Sequence, residues 1–235
     1  MGALKEASEF LEKCGVVLTA TTQLKPLTIL SQEERNHIKG ASLPRQREFS
    51  TSRWCARKSL KKLGENSGLI LTGEQREPLW PPGIVGSITH AKGMYCAVAG
   101  QGSDYLSLGI DVEPVKRRIT NKTFAVIANN DEIEWTKNTG ENKDLMKLLI
   151  FSAKECLFKL LFPLIKMNFS FDAASVYLPS SSPSNNFSIQ LKKTLNNQFM
   201  KGYSHKGYYF HDDDWLLTFL YLRNSTQVNP YILKG

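Results

Sequence analysis

A long apolar segment that carries four charges is the feature that most limits how this chain can fold. It covers residues 145–165, and its charged residues are Lys147, Lys154, Glu155 and Lys159. These charges argue against a membrane span, which needs about 20 predominantly apolar residues. The length and pattern instead predict a soluble-protein helix over residues 145–166, with a proline at position 163 as a candidate break.

Three polar residues of this helix form a narrow stripe. At about 100° per residue, Ser152 and Lys159 lie within about 60° of Glu155, and the surrounding positions are apolar. A buried charge costs several kcal/mol unless it is paired or bound to a metal. The alternative is an ordinary Glu155–Lys159 pair on a solvated face, worth about 0.3–0.5 kcal/mol.

An apolar strand ends in two further acids, Asp111 and Glu113. Alternate residues of a strand share a face, so the two carboxylates point the same way, roughly 7 Å apart. Mg²⁺ takes one or two carboxylates and completes its shell with water and substrate phosphates. The alternative is an exposed strand end with ordinary acids. Together with Glu155 and Lys159, the pattern indicates a Mg²⁺-phosphate site.

Charge and cysteine spacing narrow the class of protein. The 235 residues include 30 Lys plus Arg and 22 Asp plus Glu, a net charge of +8, which favours anionic partners. Four widely spaced cysteines without a C-x-x-C pair argue against a zinc knuckle or a redox motif. The first ten residues lack an apolar signal core. We therefore expect a soluble, reduced, cytoplasmic protein.

The order of elements predicts an α+β fold. Helices are expected at 4–13, 47–63, 123–135 and 145–166, with a helix start at Ser31. Strands are expected at 15–20, 84–90, 94–100, 105–113, 174–178, 187–191, 207–211 and 215–222, and a Ser/Pro/Asn-rich loop at 179–186. Helices followed by antiparallel strands, twice over, favour a pseudo-repeat with halves at 1–115 and 116–235.

Basic and polar residues supply candidate phosphate ligands. Arg53 and Arg57 are four apart on one face of the basic helix, and arginine forks bind phosphate bidentately. The alternatives are a solvated basic face and a nucleic-acid patch. His90 follows Ser87 and Thr89 at a strand end, where it would cap a phosphate as imidazolium or as a neutral donor, or be purely structural.

Two charged runs are assigned to turns. Residues 116–118, Lys-Arg-Arg, are expected in a solvated loop, with steering of an acidic protein partner as the alternative. Residues 211–214, His-Asp-Asp-Asp, resemble a metal motif but fit a polar hairpin turn better.

Two other functions also fit the residues: a metal-dependent nuclease, and a non-catalytic nucleic-acid-binding module.

Four motifs, in this order, resemble those of the 4′-phosphopantetheinyl transferases of the surfactin/enterobactin-synthetase type. The likeness covers roughly residues 45–160 and is nearest to the enterobactin branch. The motifs are R-E-F-S-T-S-R with A-R-K-S-L at 47–60, P-L-W-P with G-S-I-T-H at 78–90, G-I-D-V-E at 109–113, and F-S-A-K-E with Lys159 at 151–159.

The resemblance implies a pseudo-dimer of two α+β halves with the active site between them, and therefore a monomer. It implies transfer of the phosphopantetheine arm of coenzyme A to a serine of an apo carrier protein, releasing 3′,5′-ADP. The expected partners are acidic carrier domains of siderophore, non-ribosomal peptide or polyketide synthetases, with a fatty-acid carrier as the alternative, and no nucleic acid. By similarity, Asp111, Glu113 and Glu155 would hold Mg²⁺, with Mn²⁺ as the alternative.

The resemblance also implies roles for the remaining residues. Lys159 would neutralise the phosphate nearest the leaving group, and Lys154 would bind coenzyme A beside it. Arg53, Arg57 and His90 would contact the 3′-phosphate and its surroundings. Ser87 and Thr89 would line the pocket.

Glu155 is the first candidate for the base, because its apolar surroundings should raise its pKa; a metal-bound water is the alternative. A further family acid corresponds to Glu132 or Glu134. Arg76 is displaced by one position from the basic residue usual before the proline at 78.

Overall fold

The computed structural model describes residues 2–66, 68–139, 142–178 and 185–224. Its helices are α1 (Gly2–Lys13), α2 (Gln32–Ile38), α3 (Leu43–Lys62), α4 (Asn121–Ile127), α5 (Asn130–Asn138) and α6 (Lys143–Ile165). Its strands are β1 (Val17–Thr21), β2 (Leu71–Thr72), β3 (Pro78–Leu79), β4 (Ile84–Ala91), β5 (Met94–Gln101), β6 (Tyr105–Pro114), β7 (Ala174–Tyr177), β8 (Asn186–Leu191), β9 (Ser204–His211) and β10 (Trp215–Arg223).

The first sheet is antiparallel, in the order β1-β5-β4. Its central strand, β5, is buried on both faces. Alternate residues point to opposite faces, so residues 95, 97 and 99 pack against α3, whereas residues 94, 96 and 98 join the core beside α1. The small side chains at positions 97 and 99 let α3 approach this strand closely. The two-residue strands β2 and β3 form a separate hairpin.

The second sheet is antiparallel, in the order β6-β10-β9-β8-β7. Helix α6 lies across it, with Leu149, Leu157 and Leu160 in the same core cluster as Leu216 and Leu220 of β10. Helices α4 and α5 also contribute residues to this cluster. The mixed helices and antiparallel sheets confirm the α+β class. The two sheets differ in size, with three and five strands.

Strand β6, which carries Asp111 and Glu113, joins the two sheets. It pairs with β10 along its length, so it is the edge of the second sheet, and the predicted division at 115/116 does not separate the sheets. Its other side lies against β4, where the Ile110 backbone N–H donates to Ser87 Oγ over 3.2 Å. The acidic strand is therefore positioned at the junction.

The helix predicted at 123–135 is wrong as a single element. It divides into α4 and α5 because Asn129 caps the start of a new helix. The Asn129 side chain accepts a hydrogen bond from the Glu132 backbone N–H, and the Glu132 side chain accepts one from the Asn129 backbone N–H. The predicted helix start at Ser31 is confirmed, with the same reciprocal contacts to Glu34. Helix α6 continues through Pro163 to Ile165.

The turn at residues 211–214 is a hairpin between β9 and β10, in which Asp212 Oδ1 accepts from the backbone N–H groups of Asp214 and Trp215. Residues 179–184 of the Ser/Pro/Asn-rich segment lie outside the described part of the chain. The four cysteines are free thiols. Across the described ranges, no helix is both long enough and apolar enough to cross a membrane.

Gly109 allows β6 to lie directly against α6. A Cβ at this position would clash with the Cys156 carbonyl oxygen and would lie 3.0 Å from Leu160 Cβ. The same contact is fixed by Ser107, whose Oγ donates to the Leu160 carbonyl over 2.6 Å. Because Asp111 follows two residues later, this close approach also influences the distance between the acids of β6 and Glu155 of α6.

We expect Gly109→Ala to lower the free energy of unfolding by about 1–3 kcal/mol, because a methyl group must push β6 from α6. Gly40→Ala is the matched control, since a Cβ there meets nothing within 4 Å. Urea unfolding of both variants measures the difference. Equal stability of the two variants would show that β6 can move away from α6 without lowering the free energy of unfolding.

Candidate active site

A cleft of about 670 Å³ lies between the first sheet with α3 and the second sheet with α6. It is strongly polar on both walls. Its polar and charged lining residues are His37, Arg45, Ser52, Arg53, Thr72, Arg76, Thr89, His90, Asp111, Glu113, Glu155 and Lys159. Seven residues that the sequence singled out are therefore brought into one cavity: Arg53, Thr89, His90, Asp111, Glu113, Glu155 and Lys159.

Asp111 is the most heavily hydrogen-bonded of the three acids. Its Oδ1 accepts from Lys159 Nζ at 2.6 Å and Thr89 Oγ1 at 3.0 Å, and its Oδ2 accepts from Ser152 Oγ at 2.8 Å. Burial by itself would lower the pKa of Lys159, but the Asp111 carboxylate outweighs burial and raises it. Lys159 is therefore a stable cation at the floor of the cleft.

Glu113 is bound on one oxygen only. Its Oε1 accepts from Arg117 Nη1 at 2.7 Å, whereas its Oε2 is buried and has no hydrogen-bond partner within the described ranges. Burial raises the pKa of Glu113, against the opposing effect of Arg117. The side chain thus has an unused acceptor in the cleft.

Glu155 has no hydrogen-bond partner among the residues that the structure describes. Burial raises its pKa, Lys159 opposes this, and Asp111 adds to it. This direction matches the expectation from its apolar helix. A carboxylate with a raised pKa and a free lone pair is a suitable proton acceptor near neutral pH.

The donor set fits a divalent cation by type. Hard oxygen ligands suit Mg²⁺, and an unpartnered, buried carboxylate oxygen is a position that a cation would fill. Over the described ranges, no three Asp, Glu, His or Cys side chains converge closely enough to form a complete metal cluster. Mg²⁺ does not require one, because it usually takes one or two carboxylates and leaves the rest of its shell to phosphates and water.

Arg53 extends from α3 and lines the wall of the cleft that is opposite the three acids. It is 4% exposed, and its Nη2 donates to Thr72 Oγ1 at 3.0 Å, while Nε has no partner in the described chain. Burial lowers its pKa to about 10, so it stays charged at neutral pH. A buried guanidinium with an unused N–H is a candidate ligand for an anionic group.

His90 lies beside a small ion cluster at the end of β4. Its Nε2 lies 3.2 Å from Arg45 Nη1 and 3.4 Å from Glu48 Oε2, and its ring stacks on Tyr95. Burial lowers its pKa, with Glu48 opposing the shift. Of the two forms considered from the sequence, His90 is therefore neutral at pH 7.

The structure does not bring three other predicted residues to the cleft. Arg57 instead forms an ion pair with both oxygens of Glu34, at 2.7 and 2.9 Å. The Lys154 amine is buried against Glu132, at 2.7 Å, and the carbonyl of residue 127. Its predicted contact with coenzyme A is therefore corrected to a structural ion pair.

Ser87 faces a neighbouring cavity of about 450 Å³, which is lined mainly by apolar side chains. The two candidates for a further acid are likewise outside the polar cleft: Glu132 is buried on Lys154, and Glu134 pairs with Lys137 on the surface.

Arg45, His37 and Thr72 line the cleft and were missed by the sequence analysis. None has a motif of its own, since each reaches the cleft only through the packing of α2, α3 and the β2–β3 hairpin. Arg76, which the sequence left doubtful, lies on the border of both cavities with a backbone φ of 70°.

Comparison with known proteins gives the family of this chain. A model of the 4′-phosphopantetheinyl transferase N-terminal domain matches residues 33–100, and one of the 4′-phosphopantetheinyl transferase superfamily matches residues 107–219. The chain is 37% identical over 153 residues to 4′-phosphopantetheinyl transferase Svp of Streptomyces mobaraensis, covering 64% of this chain and 62% of that protein.

Two further relatives are a second 4′-phosphopantetheinyl transferase and a component of enterobactin synthase. Identity is 36% over 132 residues to 4′-phosphopantetheinyl transferase Npt of Nocardia iowensis, covering 56% of this chain and 59% of that protein. Identity is 29% over 141 residues to enterobactin synthase component D of Salmonella austin, covering 60% and 58%. The match thus spans about three fifths of each relative's length.

The two family models adjoin near the start of β6, the strand at which the two sheets meet, and together they cover most of the chain. The chain belongs to the 4′-phosphopantetheinyl transferase superfamily.

Proposed function

We propose that this protein transfers the 4′-phosphopantetheine arm of coenzyme A to a serine hydroxyl of an apo carrier protein. The observation that carries the proposal is a single cleft in which Asp111, Glu113, Glu155 and Lys159 lie opposite Arg53. This charge pattern suits a pyrophosphate with a separate phosphate at its far end. The names of the relatives, which are transferases and an enterobactin synthase component, support the same reaction.

In this reaction the serine Oγ forms a bond to the phosphorus that bears the pantetheine arm. The bond from that phosphorus to the bridging oxygen breaks, and 3′,5′-ADP leaves with the bonding electrons. Such transfers depend on positioning and charge neutralisation more than on covalent help from the protein. The nucleophile belongs to the partner, which explains why the cleft needs none of its own.

Each residue of the cleft has a distinct task in this proposal. Lys159, held at 2.6 Å from Asp111, offsets charge on the phosphate nearest the leaving group. Glu155 accepts the serine proton. Asp111 and Glu113 would hold Mg²⁺, or Mn²⁺ in its place, and Glu155 would contribute to this set. When bound, the metal supplies Lewis-acid stabilisation of the charge on the pyrophosphate.

Arg53, with Thr89 and His90 nearby, would contact the 3′-phosphate end of coenzyme A. The carrier is proposed to be an acidic domain of a siderophore, non-ribosomal peptide or polyketide synthetase, since a chain of net charge +8 attracts an acidic partner. One chain supplies both walls of the cleft, which supports a monomer. Four free thiols support a reducing, cytoplasmic setting.

The direct test is incubation with coenzyme A, Mg²⁺ and a panel of apo carrier domains, followed by mass spectrometry of each carrier. We expect one carrier class to gain the phosphopantetheine mass, and the gain to disappear when a chelator is added. A plasmid-nicking assay on the same preparation tests the nuclease alternative. Nicking without any carrier modification would overturn the proposal.

We expect Glu155→Gln to reduce transfer by about 10²–10⁴-fold, the usual contribution of a general base. The variant should melt no lower than the wild type at pH 7.5, because a buried carboxylate with a raised pKa is a cost to the folded state when ionised. Any gain in melting temperature should disappear at pH values below the pKa of Glu155 in the unfolded state, because the glutamic acid and the glutamine are then both neutral.

Glu134→Gln is the control, since Glu134 is an exposed acid paired with Lys137 outside the cleft. Carrier modification at saturating substrate and thermal melts at two pH values give both readings. Wild-type turnover by the Glu155 variant would remove this residue from the mechanism.

We expect Arg53→Ala to weaken coenzyme A binding by about 10–100-fold, because hydrogen bonds to charged groups contribute about 1.5–3 kcal/mol. Binding of coenzyme A and dephospho-coenzyme A is compared by calorimetry. Wild type should prefer the 3′-phosphorylated ligand, and the variant should not.

Arg53→Lys should keep part of the preference. Arg35→Ala, an arginine of α2 that does not line the cleft, serves as the control. A variant that binds more weakly but discriminates as well as wild type would place the 3′-phosphate elsewhere.

A further inference from the structure

The two oxygens of Glu113 have different environments. Oε1 accepts from Arg117 Nη1 at 2.7 Å, while Oε2 is buried without a hydrogen-bond partner in the described chain. Glu113 as a whole is 6% exposed, so water from bulk solvent does not reach the free oxygen readily. An unpartnered buried carboxylate oxygen is unfavourable, and this indicates that a ligand completes the site.

Arg117 is itself held in place from three directions. Its guanidinium lies 4.5 Å from the centre of the Phe151 ring. Its backbone N–H donates to the Pro114 carbonyl at 2.8 Å, which closes the turn that follows β6. With Glu113 as the third contact, the arginine is fixed although its side chain is 41% exposed. A long side chain that is fixed in this way can in turn orient the group it binds.

The other charges facing Glu113 do not occupy its free oxygen. Asp111, on the same strand, raises the pKa of Glu113, and Lys159 of α6 lowers it. The Lys159 amine is already hydrogen-bonded to Asp111 and Thr89. Glu155 of α6 lines the same cleft and adds negative charge. The free oxygen therefore lies in a region with three carboxylates, where a divalent cation is electrostatically favoured.

We propose that Arg117 is a positioning residue for the divalent cation: it fixes Oε1 of Glu113 and so presents Oε2 to the metal. The inference rests on the proposed function, which places the cation on this carboxylate set. Carboxylates that bind metals are commonly hydrogen-bonded by an outer residue, and loss of that partner weakens metal affinity by about 10–100-fold.

The sign of the effect separates this role from simple electrostatics. Arg117 carries a positive charge close to the cation site, so its removal should tighten cation binding if charge alone mattered. An arginine that merely occupied the cation's place would likewise give tighter binding when removed. A positioning role predicts weaker binding instead.

The test is Mn²⁺ binding, followed by electron paramagnetic resonance of the free ion, with coenzyme A present. We expect Arg117→Ala to bind Mn²⁺ about 10–100-fold more weakly than wild type. Arg117→Lys should recover part of the affinity, and Phe151→Leu should show a smaller loss. The control is Arg118→Ala, which removes the same charge from an exposed residue paired with Asp144.

Transfer assays add a second reading. The Mg²⁺ concentration for half-maximal rate should rise in Arg117→Ala, whereas the rate at saturating Mg²⁺ should approach that of the wild type. Thermal melts without metal show whether the variants are folded. Mn²⁺ affinity that is unchanged or tighter in folded Arg117→Ala would overturn the inference.

The outcomes distinguish this inference from the proposed function. Normal transfer with no change of Mn²⁺ affinity in Arg117→Ala defeats the inference alone. A wild-type protein that modifies no carrier, yet loses Mn²⁺ affinity in this variant, defeats the proposed reaction alone. A wild-type protein that binds no Mn²⁺ defeats the inference together with the metal part of the proposed function.

Discussion

The ion pair between Lys159 and Asp111 is the contact on which the cleft depends. It joins α6 to β6 at 2.6 Å, and Thr89 of β4 donates to the same carboxylate oxygen at 3.0 Å. Three elements from the two sheets thus meet at one group. Removal of one partner from a buried pair leaves an uncompensated charge, which is strongly destabilising. The same cluster therefore links α6 and β6 to β4 of the first sheet and places a cation at the floor of the cleft.

Charge separation across the cleft follows from this arrangement. Beside Lys159, the β6 and α6 wall carries three acids, whereas the α3 wall carries Arg45 and Arg53. A ligand with two separated anionic groups can satisfy both walls only if a cation screens one of them from the acids. Coenzyme A combined with a divalent cation has this property.

Motifs within one element were predictable from the sequence. The acids of β6 follow from the alternation of a strand, and the polar stripe of α6 follows from helical periodicity. The division of residues 123–135 is also encoded, because Asn129 and Glu132 have the spacing of a capping box. Local spacing therefore determined most of the element order.

The assignments that failed depended on partners far away in the chain. Arg57 and Arg53 share a helix face, but Glu34 lies 23 residues before Arg57 and binds only that arginine. Lys154 and Lys159 similarly differ in position, because Glu132 binds the amine of Lys154 outside the cleft. Spacing indicates which residues share a face, whereas only the packing of the helices decides which of them a buried acid will neutralise.

The distribution of cations among the three acids supports Glu155 as the base of the proposed reaction. Lys159 neutralises Asp111 by direct contact, and Arg117 neutralises one oxygen of Glu113. Glu155 has no ion pair with a described residue, and burial raises its pKa. A proton is transferred most readily to the carboxylate whose charge is least compensated. In the proposed reaction Glu155 is therefore the acid best suited to accept the serine proton, because Asp111 is paired with Lys159 and Glu113 with Arg117.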